Sequence, residues 1–548
     1  MWAQGYNPFG NAVLSTAVAG VPVIVLLGSL GVLRIRAHYA AFLGLAVAFV
    51  IAVAIFGMPA GMAVSAALYG MCFGLLAICW LIANVIFLFR MTSDSGQFAI
   101  VQDSISNLTR DGRLQLLLIA FCFGAFFEGA GGGGTPVAIT GAALIGLGFS
   151  PLTASGLSLI ANTAPVAYGG LGTPIIVLQA VTGLDLMQLS GMVGRQLPLF
   201  SLIVPFWLVT AYAGWRRMLE VWPAVLVAGG SFAVCQCLIS NLHGPWLVDI
   251  VSALVSTALV AVFLRVWHPS EPMLEGAAAV PRSAGAAASP RASHPPHVML
   301  RAWAPWVILV VVVAAWGLPS VKHALDSVSL VQVKVPHLHG MVQRVPPVVS
   351  APTAEPAIYN FNWLSVPGTA VFVSSILGGL VMGYSIPQML AMYWHTLKAI
   401  RFSLLTIVCM LGLGFITRYS GTDATLGLAF AHAGVFYPLF GTLLGWLGTA
   451  LTGTDAASNI LFGSLQKITA QQIGLSPLLM AAANSSGGVM GKMIDAQSIV
   501  VATTAVRWYG HEGTILRYVF LHSLGLAVCV GLLVMLQAYV PPFTLMVP

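Results

Sequence analysis

Residues 114–152 read LQLLLIAFCFGAFFEGAGGGGTPVAITGAALIGLGFSPL. An apolar run, Leu114–Phe127, ends in the acid Glu128, passes through Gly129-Ala130 and the four glycines Gly131, Gly132, Gly133 and Gly134, and resumes after Thr135-Pro136. Each glycine costs about 1 kcal/mol relative to alanine in a helix, so the pattern predicts a helix that unwinds here. Thr135 as cap and Pro136 at the first helical position then start a new one. Bare N–H groups in the unwound tip, and the positive end of the following helix, suit a bound anion. The glycine run alone is a weak signal, because close helix packing also uses glycine. Glu128 strengthens it. An ionisable side chain at bilayer depth costs roughly 2.5–3.5 kcal/mol or more, so it tends to face a polar cavity and to have a function. A low dielectric disfavours a charged carboxylate, which opens the way to proton uptake near neutral pH. The bland alternative is an interfacial loop in which Glu128 is an ordinary solvated acid.

The surrounding chain makes the membrane setting explicit. Of 548 residues, 58% are hydrophobic and 7% charged, against about 25% charged in soluble domains. Apolar blocks of about 18 to 28 residues suffice to cross a hydrocarbon core of about 30 Å as helix. Helices satisfy their own backbone hydrogen bonds in lipid. The ~10-residue alternating segments of a transmembrane barrel are absent from the sequence. The predicted fold class is an all-α polytopic membrane protein of about 12 to 14 spans. Spans fall near 12–33, 38–57, 62–89, 198–215, 246–265 and 518–540. The net charge of +7 sits in short loops, at Arg34, Arg36, Arg90, Arg110, Arg113, Arg216, Arg217 and Arg265. The positive-inside rule places these in the cytoplasm and both termini outside, and nucleic acid is not implied. The first apolar run is long enough to remain as a span, and no cleavable signal peptide is evident. The seven cysteines lie in apolar stretches without metal-ligand spacing.

Residues 267–300, rich in Ala, Pro and Ser, cannot bury enough surface to fold and read as a flexible cytoplasmic linker. It separates an N-terminal transmembrane half, 1–266, from a C-terminal one, 301–548. A second polar stretch, 319–362, with Lys322, Lys334 and Arg344, is expected outside. The halves resemble each other. Leu147-Gly148-Phe149-Ser150-Pro151-Leu152 recurs as Ile473-Gly474-Leu475-Ser476-Pro477-Leu478. An acid-containing segment precedes each copy, and a polar patch follows: Asn162-Thr163-Ala164-Pro165, then Asn484-Ser485-Ser486. The distance from Pro to Asn differs, 11 residues against 7, so the match is imperfect. Paired broken segments in corresponding positions point to a transporter's central site, with chance likeness between Gly- and Ala-rich helices as the alternative.

In the second half, Thr452-Gly453-Thr454-Asp455-Ala456-Ala457-Ser458-Asn459 sets polar groups between apolar runs. Asp455 reads either as the cap of the next helix or as a second titrating or ion-facing acid. Lys492 suits attraction of a substrate carboxylate, pairing with Glu128 or Asp455, or snorkelling to the interface. The expected binding groups are Gly131–Thr135, Asn162, Thr163, Thr454, Ser458, Asn459, Asn484, Ser485 and Lys492. Glu128, Asp455 and His432 are the candidates for proton coupling, although a lone histidine is more often simply packed. Arg195 reads as a loop residue, and Arg418 and Asp423 as a pair. Nucleotide-binding, hydrolase and metal motifs are absent, so neither enzymatic chemistry nor a cofactor is implied.

At these residues the sequence resembles the L-lactate permease family, which also covers glycolate transport. The likeness runs through Gln115–Phe127, Glu128-Gly129-Ala130, Pro136–Thr140, Asn162–Ala167, Met192–Pro198, Trp222–Val225, Gly445–Gly448, Leu451-Thr452-Gly453, Ser458-Asn459, Ala470–Gly474 and Gly491–Ile494. It implies proton-coupled uptake of L-lactate, D-lactate or glycolate across the bacterial inner membrane. Glu128 or Asp455 would hold the proton, and Gly131–Thr135, Asn162 and Asn484 the carboxylate and hydroxyl. The chain departs from the family's pattern at Gly131–Thr135, where Ala-Gly-Phe-Gly-Ala is expected, and at Arg418, Asp423, Asp495 and Glu355. A different organic anion, sodium coupling through Asp455 and Asn459, and a channel are the competing readings. The oligomeric state stays open.

Overall fold

A computed structural model describes residues 1–548 apart from 32, 34, 107, 131–134, 271–272, 274–294, 350 and 510. Most of the linker and the four glycines Gly131–Gly134 therefore lie outside the described residues. Among those described, nine helices are long and apolar enough to cross a membrane, or ten if a bent pair counts as one span. Four shorter apolar helices, Ala12–Leu26, His38–Ala54, Pro136–Gly146 and Pro367–Met382, fall below that length, so the 12 to 14 spans expected from the sequence reduce to nine or ten among the described residues. The protein is an all-helical polytopic membrane protein with a small β addition. Trp2–Ala3 pairs in parallel with Val342–Arg344, which pairs with Thr353–Ala354, and Leu330–Lys334 pairs with Ile358–Asn362. These strands mark the N-terminal face. The linker face lies opposite, where the Met273 N–H donates to Asp111 and Arg113 pairs with Asp111 and Glu220.

Two helical hairpins enter from opposite faces. The first rises from Asp111 at the linker face through Gly112–Ala130, and returns as Thr135–Gly146. The two arms lie side by side where Gly124 meets Thr140. The second descends from the N-terminal face as Tyr437–Thr452, turns at Gly453-Thr454 and returns as Asp455–Gln472. A ladder ties its arms: Tyr437 donates to Gln466 (2.6 Å), Gln466 to the Gly441 carbonyl (2.6 Å), and Ser458 to the Gly445 carbonyl (2.9 Å). At its open end Gln472 donates to the Pro347 carbonyl.

The repeated hexapeptide now has a physical role. Gly148 (φ 100°) and Gly474 (φ 72°) adopt left-handed backbone and stop the returning arm of each hairpin. Ser150 and Ser476 then cap the next helix, accepting from the N–H groups of Thr153 and Leu479, with proline first inside. Each helix so started is a broken span. The first runs as Pro151–Ala161, breaks, and continues to Thr182 with a bend of 63°. Its far end meets the N-terminal face, where Lys467 donates to the Thr182 carbonyl and Arg418 to that of Ala180. The second runs the other way, as Pro477–Gly491 and then Ala496–Ala505. The halves are thus inverted copies and interleaved, with Asn459 of the second hairpin donating to the Pro174 carbonyl of the first broken span.

Close backbone approach holds the second hairpin against its broken span. A Cβ at Gly445 would strike the backbone of Asn484, one at Gly487 that of Thr442, and one at Gly491 that of Trp446. Small residues permit such contact where lipid supplies no hydrophobic drive between helices. Gly487→Ala is therefore expected to destabilise the protein by about 1–3 kcal/mol through overpacking. Gly230→Ala, which meets open space, should change stability by no more than about 0.5 kcal/mol. Thermal melts of the purified variants in detergent check the contrast.

Candidate functional site

The first broken span unwinds over a long stretch. Asn162 ends the helix Pro151–Ala161, and a short 3-10 turn, Val166–Tyr168, follows. Gly170 (φ 51°), Leu171 (φ 56°) and Gly172 (φ 77°) are then successively left-handed. Glycine adopts that backbone freely, whereas Leu171 bears a strain of roughly 1–2 kcal/mol. Gly169 is needed for another reason: a Cβ there would collide with the Glu128 carboxylate. Glu128 is buried at 3% exposure, and Asn162 donates to its Oε2 at 3.0 Å. The interfacial-loop reading of Glu128 is thereby excluded. The acid lies at the head of the first hairpin, against the break of the neighbouring span. Thr163 is buried, but its hydroxyl is spent on the Ile160 carbonyl. Gly131–Gly134 and the side chain of Thr135 lie outside what is described.

The second break is shorter. Lys492 ends Pro477–Gly491, and Asp495 caps Ala496–Ala505 by accepting from the Ser498 N–H at 2.7 Å. Lys492 does not snorkel. It is 3% exposed, donates to the Gly453 carbonyl at 2.6 Å and pairs with Asp495 at 3.1 Å. It also lies within electrostatic range of both Glu128 and Asp455. Asn162 and Lys492 thus occupy equivalent places, each ending the first limb of a broken span. The sequence match had paired Asn162 with Asn484, two turns earlier.

Asp455 is not the cap of its helix. Thr454 is, its hydroxyl accepting from the Ala457 N–H at 3.1 Å. Asp455 instead turns inward, 2% exposed, and accepts from the Ser485 hydroxyl at 2.5 Å. Behind it Asn459 donates to Ser485, Asn484 to Asn459 (2.9 Å) and Gln466 to Asn484 (3.1 Å). Ser458, Asn459, Asn484 and Ser485 therefore belong to one buried network beside the second tip.

Other expectations change. His432 is exposed on the short turn Ala431–Phe436 and meets only the Ala429 carbonyl, so it stands apart from the acids. Arg418 does not pair with Asp423. It meets Glu355 at 3.4 Å, which Arg344 also holds, while Asp423 accepts from the Ser464 hydroxyl and the Ala424 N–H. These charges gather at the N-terminal face, away from Lys492. Arg195 is helical, not in a loop, and bonds Asn241 and the Met546 carbonyl. Two residues near the site escaped the sequence reading. Gln196 accepts from Ser486 at 2.7 Å, bridging the halves. Asp249 is 1% exposed against the first hairpin. It lies at the start of a span and was not singled out in the sequence.

The arrangement is one ammonium among carboxylates from both halves, set between the heads of two inverted hairpins. Among the described residues no cluster suits a metal ion. The family model for L-lactate permease matches residues 15–541. The chain belongs to the L-lactate permease family. It is a transport protein of the bacterial inner membrane with many spans, not an enzyme. The glycolate permease GlcA of Escherichia coli is 46% identical over 98% of this chain and 98% of its own. The L-lactate permease of the same organism is 42% identical over the full length of both, and that of Bacillus subtilis 41%. Among solved structures, the Alcanivorax borkumensis YdaH transporter covers 85% of this chain and 86% of its own at 15% identity and a TM-score of 0.44.

Lys492→Met leaves Asp495 buried without its cation. Breaking a buried pair from one side costs about 3–5 kcal/mol, so this variant should melt much earlier than wild type. Adding Asp495→Asn should return a substantial part of that loss, read as a double-mutant cycle in thermal melts.

Proposed function

We propose that this permease takes up L-lactate, glycolate or a related small 2-hydroxy carboxylate together with protons. The observation that carries the reading is the buried ammonium of Lys492, held on the Gly453 carbonyl and within electrostatic range of Glu128 and Asp455 at the junction of two inverted hairpins. A permease family with lactate- and glycolate-transporting relatives supports the substrate class.

The energetics fit symport. A monocarboxylate moving into a negative-inside cell opposes about 2.3 kcal/mol per 100 mV. Carrying one proton with it removes that electrical penalty and adds the pH gradient. The Lys492 ammonium attracts the substrate carboxylate, competing with Asp495 and the Gly453 carbonyl for it. Protonation of Glu128 or Asp455 lowers the negative charge facing that ammonium, so an incoming anion meets less repulsion. Proton and substrate thereby favour each other's binding, a reciprocal coupling of the kind any symporter needs. The Asn162 and Asn484 amides and the Ser485 hydroxyl can serve the 2-hydroxyl and carboxylate oxygens once their present partners yield. The unwound backbone beside Glu128 lets these groups approach a small ligand without an intervening helix wall.

Glu128→Gln keeps the shape and the Asn162 contact but cannot carry a proton. It is expected to abolish lactate accumulation driven by a pH gradient in proteoliposomes. Accumulation at the wild-type level would remove Glu128 from the coupling mechanism.

A further inference from the structure

Asp249 is the second residue of the helix Val248–Val266, with 1% of its surface exposed. Both of its carboxylate oxygens are buried, and among the described residues neither meets a hydrogen-bond donor. An acid in the first turn ordinarily serves the N–H groups of its own helix. Asp249 does not: Leu247 is the N-cap, and no side chain caps this helix. Its position is instead fixed by the first hairpin. A Cβ at Gly129 would lie 2.7 Å from the Asp249 Cβ, so the acid is lodged against the residue next to Glu128.

We propose that Asp249 is a further proton-binding carboxyl of the first-half site, working beside Glu128. The inference rests on the proton-coupled reading above. The two acids differ in their surroundings. Glu128 has the Asn162 amide as donor and Lys492 within electrostatic range, both of which support a carboxylate. Asp249 has neither. An ionised carboxylate offers about four acceptor sites, and burying it with all of them empty costs several kcal/mol. The neutral acid avoids most of that cost, so in this arrangement Asp249 holds a proton. The titratable groups on the elements packed around it are few. The first hairpin contributes Glu128, and the 3-10 turn contributes Tyr168, whose hydroxyl donates to the Ser190 carbonyl. Cys122 of the hairpin bonds Ser256, farther along the helix. The helix Trp222–Leu242 carries only Cys235 and Cys237, followed by His243, which meets the Ala314 carbonyl. The segment Gly169–Thr182 carries none. Glu128 is therefore the one other carboxyl on these packed elements. In transport, an O–H bond forms on Asp249 with a proton from water on one side of the membrane. It breaks when that proton passes to the Glu128 carboxylate, which returns it to water on the other side, so one proton crosses with each anion.

The test compares two modes of lactate movement in proteoliposomes. For electroneutral symport, a gradient of about one pH unit supports about tenfold accumulation. Counterflow of labelled lactate needs no net proton movement. Asp249→Asn should lower the ratio of gradient-driven accumulation to counterflow by about tenfold, with Asp249→Glu restoring it. Purified Asp249→Asn should also take up one proton fewer than wild type across a pH titration, a reading that does not depend on transport. Wild-type accumulation in Asp249→Asn, or equal loss of both modes with unchanged proton uptake, overturns the proposal. Absence of gradient-driven accumulation in the wild type would instead overturn the proton-coupled reading itself.

Discussion

The ammonium of Lys492 sets the terms for everything around it. A lone cation in a lipid-embedded protein carries a heavy desolvation cost, and only close anions and carbonyls offset it. Here that compensation comes from the Gly453 carbonyl at one hairpin tip and from Asp495 at the neighbouring break. The fields of Asp455 and Glu128 add to it. No single helix can assemble these groups. They meet because two hairpins enter from opposite faces and stop against two spans that break. The close glycine contacts at Gly445, Gly487 and Gly491 bring the second tip near enough for its carbonyl to reach the ammonium.

The two halves are not equally tied. The second hairpin is held by a ladder from Tyr437 to Ser485, with hydrogen bonds along both arms. Among the described residues, the first hairpin meets its broken span through fewer polar contacts, chiefly the bond from Asn162 to Glu128. Its neighbour also carries three consecutive left-handed residues, one of them the strained Leu171. Inverted copies of one motif have thus become chemically different: one a dense amide and hydroxyl network, the other a pair of acids beside unwound backbone. Such a division suits the proposed joint uptake of a hydroxylated anion and a proton.

Much of this was legible in the chain. Scarce charge and long apolar blocks sufficed for the membrane class, and the acid followed by glycines marked the first tip. The Gly-x-Ser-Pro repeats marked the two helix starts, because a left-handed stop and a capped restart use the same residues wherever they occur. What stayed hidden depended on distance in three dimensions. Thr454, not Asp455, caps its helix because the turn at Gly453 sets the phase, and that freed Asp455 to face Ser485. The order of the polar patches aligned Asn162 with Asn484 despite unequal spacing, whereas the geometry aligns it with Lys492, since the second limb is a turn longer. Arg418 finds Glu355 across 63 residues instead of the nearby Asp423. Asp249 gave no signal, because a span's first turn is where acids are unremarkable until a neighbouring hairpin buries them.

A structure determined by electron cryomicroscopy with L-lactate bound tests the central claim most directly. Ligand density is expected between the hairpin heads, with the carboxylate on the Lys492 ammonium and the edge toward Asn162 and Ser485. Density confined to the cavity of about 320 Å³ beside Trp246, Trp316 and Lys322, with the Lys492–Asp495 pair undisturbed, would contradict it.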